Sequence, residues 1–373
     1  MALHSLSKGK NPIGSTKLLV EMRRKGWIVP GSPHLHCIDI EQVRSTAMPK
    51  VLEHVWLELT NSCNLKCSHC YANSRPEVDR SGELTVSDWI RIVDDALSYG
   101  VNKLTFIGGE PTIRLDLVDE ISSHVRVNSD HVLLRMFSNL SIQRLRSQTL
   151  DVVAKYGIEF GTALYGIDKD THDRMTGRKG SWAATLESIR CCVERGIDVF
   201  VGMYLNIVEV GSIAEHEDWL RSQGVRRFQV LAPSQVGRGV AISWKNAPTV
   251  NRLPGIFVFS EHQWRVGRQG HNCYYDHLAV MPDGNVSPCI MTRAVSYGNV
   301  SKVGIKGVLG SSQYEAMANL SKDSIPGCRE CEFRYACFDC RPDAMEGTGD
   351  YLRKPNCGYD PRLQLGEVLE ELN

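Results

Sequence analysis

From Val55 to Leu231 the apolar positions follow two alternating rhythms. Short runs rich in Val, Ile, Leu and aromatic residues occur at Val55–Leu59, Lys103–Ile107, Val132–Phe137, Glu159–Leu164, Asp198–Leu205 and Arg227–Leu231. Between them apolar residues recur at helical spacing. A compact apolar run suits a strand buried on both faces, and a helical stripe suits an element packed against one of those faces. The alternation predicts βα units around a parallel sheet. Six such strands give an α/β fold, a partial (β/α)6 TIM-like barrel.

Two of the intervening helices have readable ends. Trp89, Val93, Ala96 and Leu97 form a stripe after Thr85, with Asp88 as its cap partner and Gly100 as the stop. Trp182, Leu186, Ile189 and Val193 form another after Ser181, ended by Gly196. From Gly255 to Gly358 the pattern changes to short segments punctuated by Gly, Pro and Cys, which predicts a separate small domain organised by metal. The expected organisation is an N-terminal extension over 1–50, the partial barrel over 51–235 and a small Cys-rich domain over 236–373. Leu18–Met22 and Gly26–Val29 could form a winged element that contacts a partner or, more simply, a cap on the barrel. Pro361–Leu372 reads as a closing helix.

Composition narrows the class. The chain has 373 residues, 42% of them apolar, enough for a large core divided over two or three domains. Lys plus Arg and Asp plus Glu each number 43, so no net field draws the chain to nucleic acid or to an anionic membrane. No stretch approaches the roughly 18 uninterrupted apolar residues of a membrane span. Met1–Asn11 lacks the apolar run of a signal peptide, so the expected address is cytoplasmic. Thirteen cysteines, odd in number and clustered, argue against a disulfide framework and for metal. They fall into two groups, Cys63–Cys70 and Cys273–Cys357, with Cys37, Cys191 and Cys192 left over.

Cys63, Cys67 and Cys70 follow directly on the first expected strand, which in a parallel βα barrel places them at the catalytic face. Three thiolates in so short a loop can hold three irons of a four-iron, four-sulfur cluster and leave the fourth iron free for a substrate. A zinc site is the competing reading. Structural zinc is closed by four ligands, and His69, adjacent to Cys70, is poorly directed for the fourth place.

Cys-x-x-x-Cys-x-x-Cys after a first strand resembles the signature of radical S-adenosylmethionine (SAM) enzymes. Gly108-Gly109-Glu110-Pro111 resembles that family's segment for the methionyl amino group. Two glycines let the backbone approach a ligand, and Glu110 can pair with an ammonium. Ser138 and Asn139 stand where the family places polar contacts to the ribose and carboxylate, and His69 stands where an aromatic packs on adenine. The resemblance implies a [4Fe-4S] cluster and SAM as cofactors, a reducing partner such as flavodoxin or ferredoxin, and a 5'-deoxyadenosyl radical that abstracts hydrogen from substrate.

The later cysteines, Cys273, Cys289, Cys328, Cys331, Cys337, Cys340 and Cys357, resemble in order the SPASM extension, which implies two auxiliary [4Fe-4S] clusters. Carried over, Cys328, Cys331, Cys337 and Cys357 serve the second, while Cys273, Cys289 and Cys340 serve the first. Only Phe338 and Asp339 separate Cys337 from Cys340 where the family has three residues. The first auxiliary cluster then lacks one cysteine, to be replaced by Asp276, Cys37, solvent or substrate. A zinc ribbon is the alternative for the Cys-x-x-Cys pairs.

The resemblance implies an oxidoreductase that modifies a precursor peptide or protein by cross-linking, thioether formation or epimerisation, as in maturation of ribosomally made peptides. Ile290 and Met291 stand after Cys289 where the sulfatase-maturing branch has an aspartate, which argues against that branch. The alternatives are oxidation or decarboxylation of a small molecule such as a modified tetrapyrrole, an iron-sulfur electron carrier, and a zinc-binding module. Cys191 and Cys192 read as packing, His34, His36 and Cys37 as loop residues, and Arg226, Arg227 and Gly237-Arg238-Gly239 as a basic rim that could steer an acidic group.

Overall fold

The computed structural model describes residues 52–205, 213–231, 234, 236–241, 256–257, 266–331, 334–338, 340–345 and 349–354. The expected N-terminal element, Cys37, Cys357 and the helix over Pro361–Leu372 lie outside these residues.

All six expected strands form: β1 (His54–Thr60), β2 (Lys103–Gly108), β3 (Leu133–Phe137), β4 (Glu159–Leu164), β5 (Val199–Tyr204) and β6 (Arg227–Leu231). They alternate with α1 (Val86–Ser98), α2 (Leu115–Asn128), α3 (Arg146–Tyr156), α4 (Lys169–Thr176), α5 (Ser181–Glu194) and α6 (Ile213–Ser222). Helix α1 carries the capping box read from Thr85 and Asp88, and it buries Trp89, Ile92, Val93 and Ala96. Helix α5 stops before Gly196 as expected, but its start differs. Its N-cap is Gly180 and Ser181 lies inside the first turn. The cap is supplied from α4, where Asp173 accepts hydrogen bonds from Ser181 Oγ at 2.9 Å and from the Trp182 N–H at 2.8 Å. The stripe is also rotated, so that Cys192 is buried and Val193 is 37% exposed.

One sheet of nine strands runs β10-β9-β8-β1-β2-β3-β4-β5-β6, where β8 is His277–Val280, β9 Asn285–Ser287 and β10 Gly298–Asn299. The expected Cys-rich region is thus joined to the barrel by strand pairing. Strand β8 pairs in parallel with β1, His54 opposite His277 and Leu57 opposite Val280, and β9 continues antiparallel. The Cys-rich segment thus extends the barrel sheet at the edge of β1. A second pairing joins β7 (Ile256–Phe257) to β11 (Cys337–Phe338). Helices α7 (Val300–Leu309), α8 (Ser312–Ala318) and α9 (Arg341–Met345) follow in the Cys-rich region.

Side-chain alternation divides the sheet into two faces. Val55, Leu57 and Leu59 of β1, Leu104 and Phe106 of β2, and Leu134 and Met136 of β3 pack with Trp89, Leu117 and Ile121 of the helices in one continuous core. Trp56, Ile107 and Phe137 belong to a separate apolar cluster on the opposite, inner face. The cysteine loop leaves β1 at the C-terminal end of the parallel strands, above that inner face.

Candidate active site

The loop from Asn61 to Tyr71 is anchored along its length. Thr60 Oγ1 bonds to Glu83, and the Cys63 N–H donates to the Arg75 carbonyl at 3.2 Å. The Lys66 and Ser68 amides donate to the carbonyls of Thr176 and Met175 at 3.0 and 2.9 Å. The end of α4 thereby satisfies its last carbonyls with the cysteine loop. Burial, with Glu110 and the other thiols as lesser causes, pushes the Cys63 thiol up. Burial and the neighbouring Cys70 push Cys67 up to about 12. Thiols held protonated in this way become ligands when a cationic iron core displaces their protons.

Arg238 is not part of a solvated rim but turns inward. Its guanidinium donates to the Cys67 carbonyl at 2.7 Å, to Asn73 Oδ1 at 2.8 Å and to the Ser74 carbonyl at 2.9 Å. Its own N–H donates to the Cys70 carbonyl at 3.1 Å. Gly237, at φ +57°, allows the approach, because a Cβ there would stand 2.5 Å from the carbonyl oxygens of both Cys70 and Tyr71. No local signal marks this clasp, since its partners lie 164 or more residues away.

The Gly-Gly-Glu-Pro turn follows β2. Its glycines are needed for the cysteine loop itself, because a Cβ on Gly109 would sit 2.1 Å from the Ser62 carbonyl oxygen and one on Gly108 2.5 Å from that of Thr60. Glu110 is fully buried. Its carboxylate accepts from Thr112 N–H at 3.0 Å, Thr112 Oγ1 at 2.6 Å, Ser138 Oγ at 2.7 Å and the Asn139 N–H at 2.8 Å. Burial pushes its pKa up, and these donors work against the rise. Pro111 opens the short helical turn that Glu110 caps.

Ser138 and Asn139 are therefore turned toward Glu110 and the cysteine loop. Asn139 Nδ2 also donates to Asn64 Oδ1 at 2.9 Å and approaches Cys63 Sγ at 3.6 Å. His69 lies 4.5 Å from the Tyr165 ring, and burial, then Arg238 and His172, hold it down to about 4. Its Nδ1 is buried without a hydrogen-bond partner.

These residues fit the cluster and SAM that the resemblance implies. Three thiols share one anchored loop. A buried carboxylate, supplied with neutral donors and with no Lys or Arg in ion-pair range among the described residues, suits a ligand ammonium. The unpartnered His69 Nδ1 offers a polar edge, and its ring packs at a tilt against Tyr165.

The later cysteines form two neighbourhoods. Tyr274 is buried and interacts with Cys289, Cys340 and Cys273. Its hydroxyl bonds Thr292 Oγ1 at 2.8 Å, and that oxygen lies 3.1 Å from Cys289 Sγ. Arg341, fully buried, interacts with Cys328 and Cys337 and donates to the carbonyls of Tyr351 and Arg353 at 3.1 and 2.9 Å. The Cys331 N–H donates to the Cys328 carbonyl at 2.9 Å in a tight turn. Burial, then Glu53, raises Asp276 to about 7, and its carboxylate reaches His277 Nε2 at 3.3 Å at the start of β8. All eleven cysteines among the described residues are free. One further pair was invisible in the sequence. Arg293, shortly after Cys289, holds both oxygens of the buried Glu58 on β1 at 2.6 Å.

Profile comparison matches the radical SAM superfamily over residues 57–220 and an iron-sulfur cluster-binding domain, SPASM, over 273–332. Fe-coproporphyrin III synthase of Methanosarcina barkeri is 31% identical over 185 residues, 50% of this chain and 45% of that protein, so the chain matches about half the synthase's length. The PqqA peptide cyclase of Bradyrhizobium diazoefficiens is 34% identical over 359 residues, covering 86% of this chain and 90% of the cyclase. The crystal structure of Streptococcus suis SuiB bound to S-adenosylmethionine shares the fold, with a TM-score of 0.64 at 17% identity over 86% of this chain and 80% of SuiB.

Proposed function

The chain belongs to the radical SAM superfamily, in the group that carries a SPASM extension, and from that premise we propose that it modifies a precursor peptide by hydrogen abstraction, forming a cross-link or thioether or inverting a centre. The observation that carries this reading is the near full-length similarity to a peptide cyclase, joined to the anchored cysteine loop beside the buried Glu110. The cofactors are [4Fe-4S] clusters and SAM, which when bound supply a 5'-deoxyadenosyl radical.

Cys63, Cys67 and Cys70 hold the catalytic cluster. Glu110 takes the amino group of SAM, held in place by Ser138, Asn139 and the Gly108-Gly109-Pro111 turn, and His69 covers the adenine. Cys273, Cys289 and Cys340 serve one auxiliary cluster, and Cys328, Cys331, Cys337 and Cys357 serve the other. Electrons come from a flavodoxin or ferredoxin in the cytoplasm, and neither nucleic acid nor a membrane takes part. A second reading, action on a modified tetrapyrrole, draws on the match to Fe-coproporphyrin III synthase, but that match covers half of this chain.

The test is anaerobic purification with iron, sulfide and zinc analysis, followed by reduction in the presence of SAM. Iron and sulfide in cluster stoichiometry and 5'-deoxyadenosine as product are expected. Zinc in place of iron, or SAM left intact, overturns the assignment. Mass change in a short peptide encoded beside this chain separates the peptide reading from the tetrapyrrole reading.

A further inference from the structure

The inner face of the sheet carries an apolar cluster that is separate from the main core. Ile107 of β2, Ala279 of β8 and Ile290 are its buried members, and the partly buried Trp56, Tyr71 and Phe137 pack against them. Tyr71 directly follows Cys70, and Ile290 directly follows Cys289. The cluster therefore spans the space between the first cysteine loop and the first of the later cysteine neighbourhoods. The rings of Trp56 and Phe137 are stacked, with centroids 6.4 Å apart. Glycines on the neighbouring strands leave room for rings beside them. A Cβ on Gly161 of β4 would lie 2.5 Å from the Phe137 ring, and one on Gly202 of β5 2.8 Å from the Tyr204 ring.

The carboxylate that β1 places beside this wall is already paired. Glu58 is fully buried, with both oxygens held by Arg293, whose other nitrogen lies 3.4 Å from Asn61 Oδ1. Arg135 and Glu159, nearer the other end of the strands, are likewise paired with each other. A charged side chain brought onto this wall would lose its hydration beside an ion pair that is already closed, whereas an apolar side chain would gain by burial.

We propose that this inner wall seats the reacting residue of the substrate and selects an uncharged aromatic or branched apolar side chain. The inference rests on the reading of the Cys63–Cys70 loop as the radical-generating site, and it makes Trp56 and Phe137 specificity determinants.

The test uses reconstituted holoenzyme with SAM and four single-residue probes, the N-acetyl amides of phenylalanine, leucine, aspartate and lysine, with binding measured by saturation-transfer NMR. Single residues keep the outcome independent of whether the natural substrate is a peptide. The phenylalanine or leucine amide should bind at least tenfold more tightly than the charged pair, and Trp56→Ala or Phe137→Ala should weaken it at least tenfold in protein that retains iron and SAM affinity. Equal or tighter binding of a charged amide overturns the proposal. So does the absence of binding by any probe, or binding unchanged in both variants. Should both variants lose iron, side-chain-deuterated phenylalanine and leucine amides with the parent enzyme decide the matter: deuterium in 5'-deoxyadenosine supports the proposal and its absence from both reactions overturns it.

Discussion

The loop at Cys63–Cys70 hangs from the middle of a parallel sheet and is tied to Arg75, Met175, Thr176 and Arg238 by hydrogen bonds. The cysteines from Cys273 to Cys340 sit instead among short pieces, a two-residue strand at Cys337–Phe338 and the five-residue helix α9. The first region is shaped by the protein before any iron arrives, because its backbone groups are satisfied by distant elements of the barrel. The second has less regular structure to hold its thiols, so bound metal contributes a larger share of its folding free energy. The two meet where β8 joins β1 and where Arg293 reaches Glu58.

The most severe way to separate the regions is to remove the first set of ligands. Ala in place of Cys63, Cys67 or Cys70 should reduce 5'-deoxyadenosine formation to background while the later cysteines keep their iron. Loss of iron from both regions would show that they assemble as one unit. Metal removal probes the other side of the comparison. After anaerobic chelation, limited proteolysis followed by mass spectrometry should cut 273–345 roughly tenfold or more faster than 52–205, a gap of at least about 1.4 kcal/mol in local stability. Equal protection would mean that the later region is also shaped without metal.

Glu110→Gln sharpens the account of the first region. It removes a charge-assisted contact worth about 1.5–3 kcal/mol, so SAM affinity should fall by roughly tenfold to a hundredfold with iron content unchanged. Unchanged affinity in a titration of the reduced cluster's spectrum would detach Glu110 from the cofactor. Arg238→Gln should have the smallest effect. Its three acceptors are neutral and the side chain is only half-buried, so about 1–2 kcal/mol of loop stability is at stake. The expected result is faster loss of iron from the first cluster than from the others, with partial recovery in Arg238→Lys. Equal rates of loss would show that the clasp does not hold the loop.

Local patterns survived into the structure where one element decided them. The six strands appear within a residue or so of their expected ends, and four of them, β1, β2, β4 and β5, are runs buried on both faces, which leave few alternatives. Thr85 and Asp88 cap α1 as read, since a capping box is closed within four residues. Ser181 did not cap α5, because Asp173 on the preceding helix reaches across to that turn. The glycines of the Gly-Gly-Glu-Pro turn were seen, but the surface they approach is the cysteine loop, which only the pairing of β1 with β2 places there.

By itself the sequence determined the βα order of the chain, the clustering of its cysteines and the acidic turn after β2, all of which are written in residue type and short spacing. Tertiary structure decided that the Cys-rich segment joins the barrel sheet through β8, that Arg238 clasps the first loop, and that Glu58 is neutralised by Arg293. The physical reason is range. The pairing of β1 with β8 and the buried ion pair join residues more than two hundred positions apart, and a backbone carbonyl or a buried carboxylate accepts any suitably placed donor, leaving no trace in the neighbouring residues of which donor that will be.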